Sequence, residues 1–483
     1  MRIGWCLVLV VTMLSCGRPA REAVKPEKLN FLILLADDLG WTDLGCYGSD
    51  LYETPNIDGL AAEGVRFTNG YAACTVCSPT RAAVMTGMYP GRTHVTDFIT
   101  GGVRPKAKLR VPEWTMQLDH HHTSLAEAMK AGGYRTAHVG KWHLMPRNEP
   151  DVMDDFLPEK HGFDINIGGN EWGAPGSYFH PYSSRTRKVG KLPPGGKSGD
   201  YLTDRLTDEA LKLLDEFGVD PFFMYFAYYT VHTPIQAKEE DIARFQPKVK
   251  QDARHRDATY AAMTASLDRS VGRLRAKLAE LGIADNTVIV FTGDNGGLDR
   301  EGPDGRIGNP TENHPLRAGK GSAYEGGVRT PAIYYWPGVT KAGAVSDEPV
   351  IAVDIYPTVL DIASVEGSAE HNAKVDGVSL VPLLRDSSAS LDRETLFWHY
   401  PHYHAGGATP HSAIRDGDWR LVEFYEDQHV ELYDLKNDVG EEHDLASENP
   451  QKADELRRKL HDWRAEVQAQ DPTPNPDYDP AAE

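Results

Sequence analysis

Cysteine is scarce in this chain. Five occur in 483 residues, and Cys6 and Cys16 fall within the first sixteen, which leaves Cys46, Cys74 and Cys77 in the body. Three is an odd number, so even if Cys46 and Cys74 pair, one thiol is left over and invites a reactive or modified role. Positive charge is short too. Lys and Arg number 51 against 71 Asp and Glu, a formal net charge of -20, which argues against nucleic acid as a partner. The apolar stretch at residues 3–14 is too short to span a bilayer. Internal repeats are missing, and the one biased segment is the Pro- and Asp-rich tail from Asp471.

The body, 40% hydrophobic, is ordinary for a globular protein, and 483 residues are enough for more than one core. Two unequal domains are expected. Residues 1–16 read as an export signal, with Met1 and Arg2 as the charged start and Ser15 before Cys16. Leu14-Ser15-Cys16 resembles the bacterial lipoprotein signal, whose cysteine is lipidated after cleavage; ordinary secretion is the alternative. Residues 17–28 would then be a tether, and the protein periplasmic or at the cell surface, touching the membrane only through Cys16.

Four apolar runs end in the same way. "FLILLADD" closes on Asp37 and Asp38, "TVIVFTGDNGG" on Asp294 and Asn295, "TAHVGKWH" on Lys141 and His143, and "PFFMYFAYYTVHTP" on His232. Runs without alternation fit strands covered on both faces. Helical patterns lie between them, at residues 203–217 and 258–281 and after the capping box Ser124-Leu-Ala-Glu127. The expected fold is α/β, a large, mostly parallel central sheet flanked by helices, over residues 29–394. In such sheets ligands bind at the carboxyl ends of the strands, so all these polar residues would share one edge. Asp37, Asp38, Asp294 and Asn295 offer only oxygen, a set for Ca²⁺ or Mg²⁺ rather than zinc, and calcium suits an exported protein. Arg81, Lys141, Lys320, His143 and His232 around them match an anionic ester, whose oxygens cations hold while a histidine protonates the leaving alcohol.

"CSPTR" at residues 77–81 places a thiol at a helix start: Ser78 is expected as N-cap, Pro79 as the first helical residue and Gly87 as the stop. The partial positive charge there favours an anion and would lower the thiol pKa. With "LADDLGW", "AAVMTGMYPGR", "GKWH", "HTP", "TGDNGG" and "AGKG" in order, the chain from about residue 29 to 445 resembles the type I sulfatases of the alkaline phosphatase superfamily. That resemblance implies that a maturation enzyme oxidises Cys77 to formylglycine. It implies a calcium ion on Asp37, Asp38, Asp294, Asn295 and the modified Cys77. It further implies that Arg81 and Lys141 steady formylglycine and sulfate, that His143 acts on the formylglycine hydrate, and that His232 and Lys320 serve the leaving group. A phosphodiesterase or phosphonate monoester hydrolase of the same superfamily is one alternative. A sulfoglycan-binding lipoprotein that never matures is another, although binding alone needs no acid or base such as His143, His232 or Lys320.

Residues 94–122, 145–200 and 299–320 lack periodicity and are expected to wall the site. Within them "DHHH" at 119–122 reads as a solvated tract, while Trp172, Tyr178 and His180 could stack on a sugar or pin their loop. From about residue 395 to 470 short alternating segments predict a small antiparallel sheet, followed by a helix with Ala453, Leu456, Leu460, Trp463 and Val467 on one face. Residues 471–483 are expected to be disordered. At the junction lie His399, His402 and His404, and resemblance to carbohydrate sulfatases points to sugar contact for His402 and His404. The expected substrate is thus a short sulfated oligosaccharide of galactose or N-acetylgalactosamine type, since an acidic surface repels long polyanions.

Overall fold

The computed structural model describes residues 28–481 apart from 148, 300–308 and 406. The export signal and the tether up to residue 27 therefore lie outside the described residues. The central sheet has eight strands in the order Ala344–Ser346, Val65–Phe67, Ala332–Tyr335, Thr287–Gly293, Asn30–Ala36, Phe222–Ala227, Arg135–Gly140 and Ile165–Ile167. Only Ala332–Tyr335 runs antiparallel to its neighbours. The unbroken apolar runs have the reason expected for them. Phe31, Ile33 and Leu35 enter one core with the helices Cys77–Thr86, Leu125–Ala131 and Ile355–Ala363, whereas Leu32 and Leu34 enter another with Leu202–Phe217 and Ala258–Glu280.

Register brings the strand ends together. Ala36 pairs with Gly293, Leu35 with Ala227, and Ala227 with Gly140, so four adjacent parallel strands stop at one level. Three of them are followed at once by a charged residue, Asp37, Asp294 or Lys141, and the fourth reaches His232 five residues on. Gly140 has φ +99, and a Cβ there would stand 1.9 Å from the Ala227 carbonyl oxygen, so only glycine lets the chain leave the sheet at this point.

The C-terminal strands Thr395–Tyr400, His411–Asp416, Trp419–Phe424 and Val430–Asp434 form an antiparallel sheet backed by the helix Pro450–Glu466. Leu396, Ile414, Leu421, Leu456 and Leu460 belong to the same apolar core as Phe31 and Val84, so this part packs as an extension of the main body. Buried charge crosses the contact. Arg420 is fully buried and bonds Glu325 at 3.1 Å, the Ala323 carbonyl at 2.8 Å and Glu441 at 3.2 Å, while the Glu325 amide donates to Glu441 at 2.7 Å. The loop bearing Lys320 is thereby tied to the C-terminal sheet.

One expectation needs correction. The tail is not disordered over its described length: Thr473–Pro474 pairs with Leu109–Arg110, and Asn475 and Asp479 donate backbone amides to Lys108 and Lys106. Its polar residues find an unpaired edge that their composition does not reveal. Cys46 and Cys74 are both free thiols.

Arg420→Ala should lower unfolding stability by about 3–5 kcal/mol, because Glu441 loses its buried cation while Glu325 keeps only Arg329 and Tyr71 among the described residues. Denaturant titration checks this. A change under about 0.5 kcal/mol, the level of a surface substitution, would show that the network is not needed.

Candidate active site

Asp37 and Asp38 follow the strand Asn30–Ala36, and Asp294 and Asn295 follow Thr287–Gly293; all four are buried. Cations stand on every carboxylate. Lys141 Nζ lies 2.9 Å from both oxygens of Asp37, Arg81 bonds Asp294 at 2.7 and 2.9 Å, and Lys320 Nζ lies 2.5 Å from Asp38. The Asp38 amide donates to Asp294 at 3.2 Å and the Asn295 amide to Asp38 at 2.8 Å, which locks the two strand ends together. Burial pushes Asp37 up, Asp294 and Asp38 add to this, and Lys141 opposes them. Burial also acts on Asp38, where Lys320 and His232 outweigh it and hold the carboxyl well below its usual range.

These residues fit a hard cation. Ligand atoms of Asp37, Asp38 and His232 lie within 4.8 Å of one another, and Asn295 Oδ1 is a buried acceptor without a donor. Crowded carboxylates and an orphaned amide oxygen are what an oxygen-preferring divalent ion satisfies.

Cys77 opens the helix Cys77–Thr86, two residues earlier than the sequence suggests, with Val76 rather than Ser78 as N-cap. Ser78 is committed elsewhere: its hydroxyl donates to the His143 carbonyl at 2.9 Å and accepts from the Ile99 amide at 3.1 Å. The thiol is not activated either. Burial raises its pKa, against Lys141 and Lys320, so the expected lowering by the helix start is overturned. A protonated thiol is a poor nucleophile.

His143 Nδ1 stands 3.4 Å from Cys77 Sγ while Nε2 bonds the Ile99 carbonyl. The ring leans on Gly173, where a Cβ would lie 2.3 Å from Cε1. Burial and Lys141 hold it neutral, so the carbonyl fixes the proton on Nε2 and leaves Nδ1 to accept. Asp38 and His143 both take positive φ, 59 and 58, a conformation that costs about 1–3 kcal/mol and clusters at functional sites. His232 Nε2 lies 3.6 Å from Asp38, Nδ1 bonds the Thr233 carbonyl at 2.8 Å, and burial lowers the ring to about 3 although Asp38 pulls it up. Burial acts against the Lys320 charge, yet Asp38 and its neighbours raise it well above the ordinary lysine range.

These groups meet at the floor of a cleft of about 320 Å³, lined by Asp38, Cys77, His143, His232 and Lys320 with Trp172 and His404 on its walls. Arg81, Lys141, Asp37, Asp294 and Asn295 lie behind this floor. The expectation for His402 fails: the ring is fully buried, bonds Thr96 Oγ1 at 2.8 Å and packs edge-on against Trp114. Tyr178 is likewise buried, its hydroxyl donating to the His232 carbonyl at 2.9 Å. The "DHHH" tract is only partly solvated, for His122 is buried and His120 stacks on His161. Sequence reasoning missed Ile99, Gly173, Arg147 and Arg187, which belong to segments it recognised only as walls.

Buried cations and oxygens at the floor of a cleft suit an anionic ester. A sulfatase family profile matches residues 29–365, and a profile described as N-sulphoglucosamine sulphohydrolase, C-terminal, matches residues 319–470. The chain belongs to the sulfatase family and is a sulfuric ester hydrolase. It is 32% identical over 519 residues to a sulfatase of Formosa agariphila, covering 94% of this chain and 92% of that protein. To the N-acetylgalactosamine-6-sulfatase of Homo sapiens it is 34% identical over 390 residues, 77% of this chain and 69% of that one. The crystal structure of Ps i-CgsB in complex with k-i-k-neocarrahexaose matches with TM-score 0.73 and 29% identity, covering 94% of this chain and 95% of the other.

Calcium should raise the melting temperature of the purified protein and chelation should lower it, by about 2.7 kcal/mol of stability at a hundredfold excess over Kd. Asp294→Ala should shrink this shift. Equal melting with calcium and with chelator would remove the cation from this edge.

Proposed function

We propose that this chain hydrolyses the sulfate ester of a sulfated carbohydrate of galactose or N-acetylgalactosamine type, using formylglycine made from Cys77 beside a calcium ion. One observation carries the reading: Cys77 opens a helix 3.4 Å from an accepting His143 nitrogen, within a buried set of cations and oxygens. Similarity to N-acetylgalactosamine-6-sulfatases, and to a protein solved with a neocarrahexaose, supports the carbohydrate. Trp172 and His404 on the cleft walls suit a polar ring better than a steroid.

When present, the hydrated aldehyde supplies one hydroxyl to attack sulfur and a second whose deprotonation releases sulfate, while calcium polarises the ester oxygens. His143 takes the proton of that second hydroxyl on Nδ1, its ring held by Ile99 and Gly173. Arg81 bonds Asp294 and the Lys141 carbonyl, and so fixes the relative position of two strand ends. Lys141 and Lys320 bring positive charge to the sulfate oxygens. His232 and Lys320 stand on the two oxygens of Asp38 and serve the leaving alcohol, Lys320 as the group that keeps its proton. Export to the periplasm or cell surface with a lipid on Cys16 belongs to the same reading and is checked by the mass of the mature N-terminal peptide.

Protein produced with a maturing enzyme should carry the aldehyde at residue 77 by peptide mass. It should also release free sulfate from sulfated galactosides or N-acetylgalactosaminides faster than from steroid sulfates. Cys77→Ser should stay folded and lose on the order of 10³-fold in kcat or more. An unmodified Cys77 in fully active protein would falsify the mechanism. Faster release of phosphate or phosphonate from matching esters would assign the site to that chemistry instead.

A further inference from the structure

Two guanidinium groups on the catalytic cleft have no carboxylate partner among the described residues. Arg147 is half-buried, bonds Thr100 Oγ1 at 2.9 Å and lies over the Trp172 ring at 5.0 Å from its centroid. Arg187 is exposed at the mouth, in a turn closed by the bond from the Ser184 amide to its carbonyl at 2.8 Å. Both line the cleft that holds Cys77, and neither touches the reacting cluster. In a chain of net charge -20, two cations left without acids beside an anion-cleaving centre mark a second place of positive potential.

Arg187 has a further position. Together with Thr233 it also lines an adjoining cavity of about 580 Å³, so the catalytic cleft continues past this arginine into a second space. Pro175, Pro234 and Ile235 give that space apolar walls, and Ser184 and Thr186 offer hydroxyls. Among the described residues one acid, Asp257, also lines it, but its carboxylate caps the helix Ala258–Glu280 by accepting the Thr259 and Tyr260 amides at 2.7 and 3.0 Å. The helix start thus offsets its charge. Apolar walls with scattered hydroxyls suit a sugar ring, and a guanidinium fork suits a planar or tetrahedral oxyanion.

We propose that the cleft and the adjoining cavity are successive subsites of one oligosaccharide groove. Arg187, assisted by Arg147, holds a second anionic group on the substrate while Cys77 meets the ester to be cleaved. The preferred substrate is then an oligosaccharide with at least two anionic groups, the second being either another sulfate ester or a uronic acid carboxylate. This rests on the sulfated-carbohydrate reading and adds to it the site that chooses among such sugars.

The test uses matured full-length protein and three oligosaccharides of equal length: one singly sulfated, one with a second sulfate on the neighbouring unit, one with a uronate there. Wild type should favour one doubly anionic substrate in kcat/KM, and which of the two it favours identifies the second anion. Arg187→Ala should reduce that preference at least tenfold, through KM, with Arg187→Lys restoring part of it and added salt weakening it. Should wild type turn over none of the three, the functional reading fails, and titration calorimetry with Cys77→Ala protein still decides the groove. There the doubly anionic sugar should bind about tenfold tighter than the singly sulfated one, and Arg187→Ala should abolish the difference. A preference unchanged by Arg187→Ala, in turnover or in binding, overturns the proposal.

Discussion

Everything at the functional edge depends on three buried carboxylates held against three cations, Arg81 and Lys141 buried and Lys320 at the cleft. Asp37, Asp38 and Asp294 would repel one another at the ends of neighbouring strands, and Lys141, Lys320 and Arg81 each neutralise one of them. Burying charge at such density is costly unless every group is paired, so the arrangement admits little movement. It also explains the loops. Lys141 leaves its strand at a glycine that only a bare backbone permits, and Lys320 arrives from a segment fastened through Glu325 and Arg420 to the C-terminal sheet. The small sheet is therefore part of the machinery, since it sets the position of one of the three cations.

The same balance links structure to chemistry. The internal cations stand on the carboxylates. A divalent cation among those oxygens would take over that role and leave Lys141 and Lys320 to face an anionic ester. His143 stands apart from this exchange, its proton fixed by a backbone carbonyl and its free nitrogen turned to residue 77. The site thus separates two tasks, holding negative charge and moving a proton, between groups that do not compete.

Much of this could be read from the chain. An apolar run that stops at Asp37-Asp38 or at Asp294-Asn295 carries both its place in a two-faced sheet and its polar end, so the strands and the polar residues at their ends were legible together. Ser124 with Glu127 marked a helix start and the structure has that capping box. Ser78 misled because its hydroxyl serves the His143 carbonyl and the Ile99 amide, partners distant in sequence. His402 misled for a similar reason: a histidine-rich loop looks polar, but Thr96 and Trp114 close over this ring. The tail misled because composition reports the chain's own preference and not the free edge at Leu109–Arg110. Arg147 and Arg187 carry no motif at all, and only the cleft around them shows that they lack acids among the described residues.

The most direct test of the account is a crystal structure of the matured protein grown with calcium. The account predicts one ion about 2.3–2.6 Å from oxygens of Asp37, Asp38, Asp294 and Asn295, with Lys320 Nζ moved off Asp38 toward the cleft. It is contradicted if Lys141 and Lys320 remain on their carboxylates and the ion lies elsewhere or is absent.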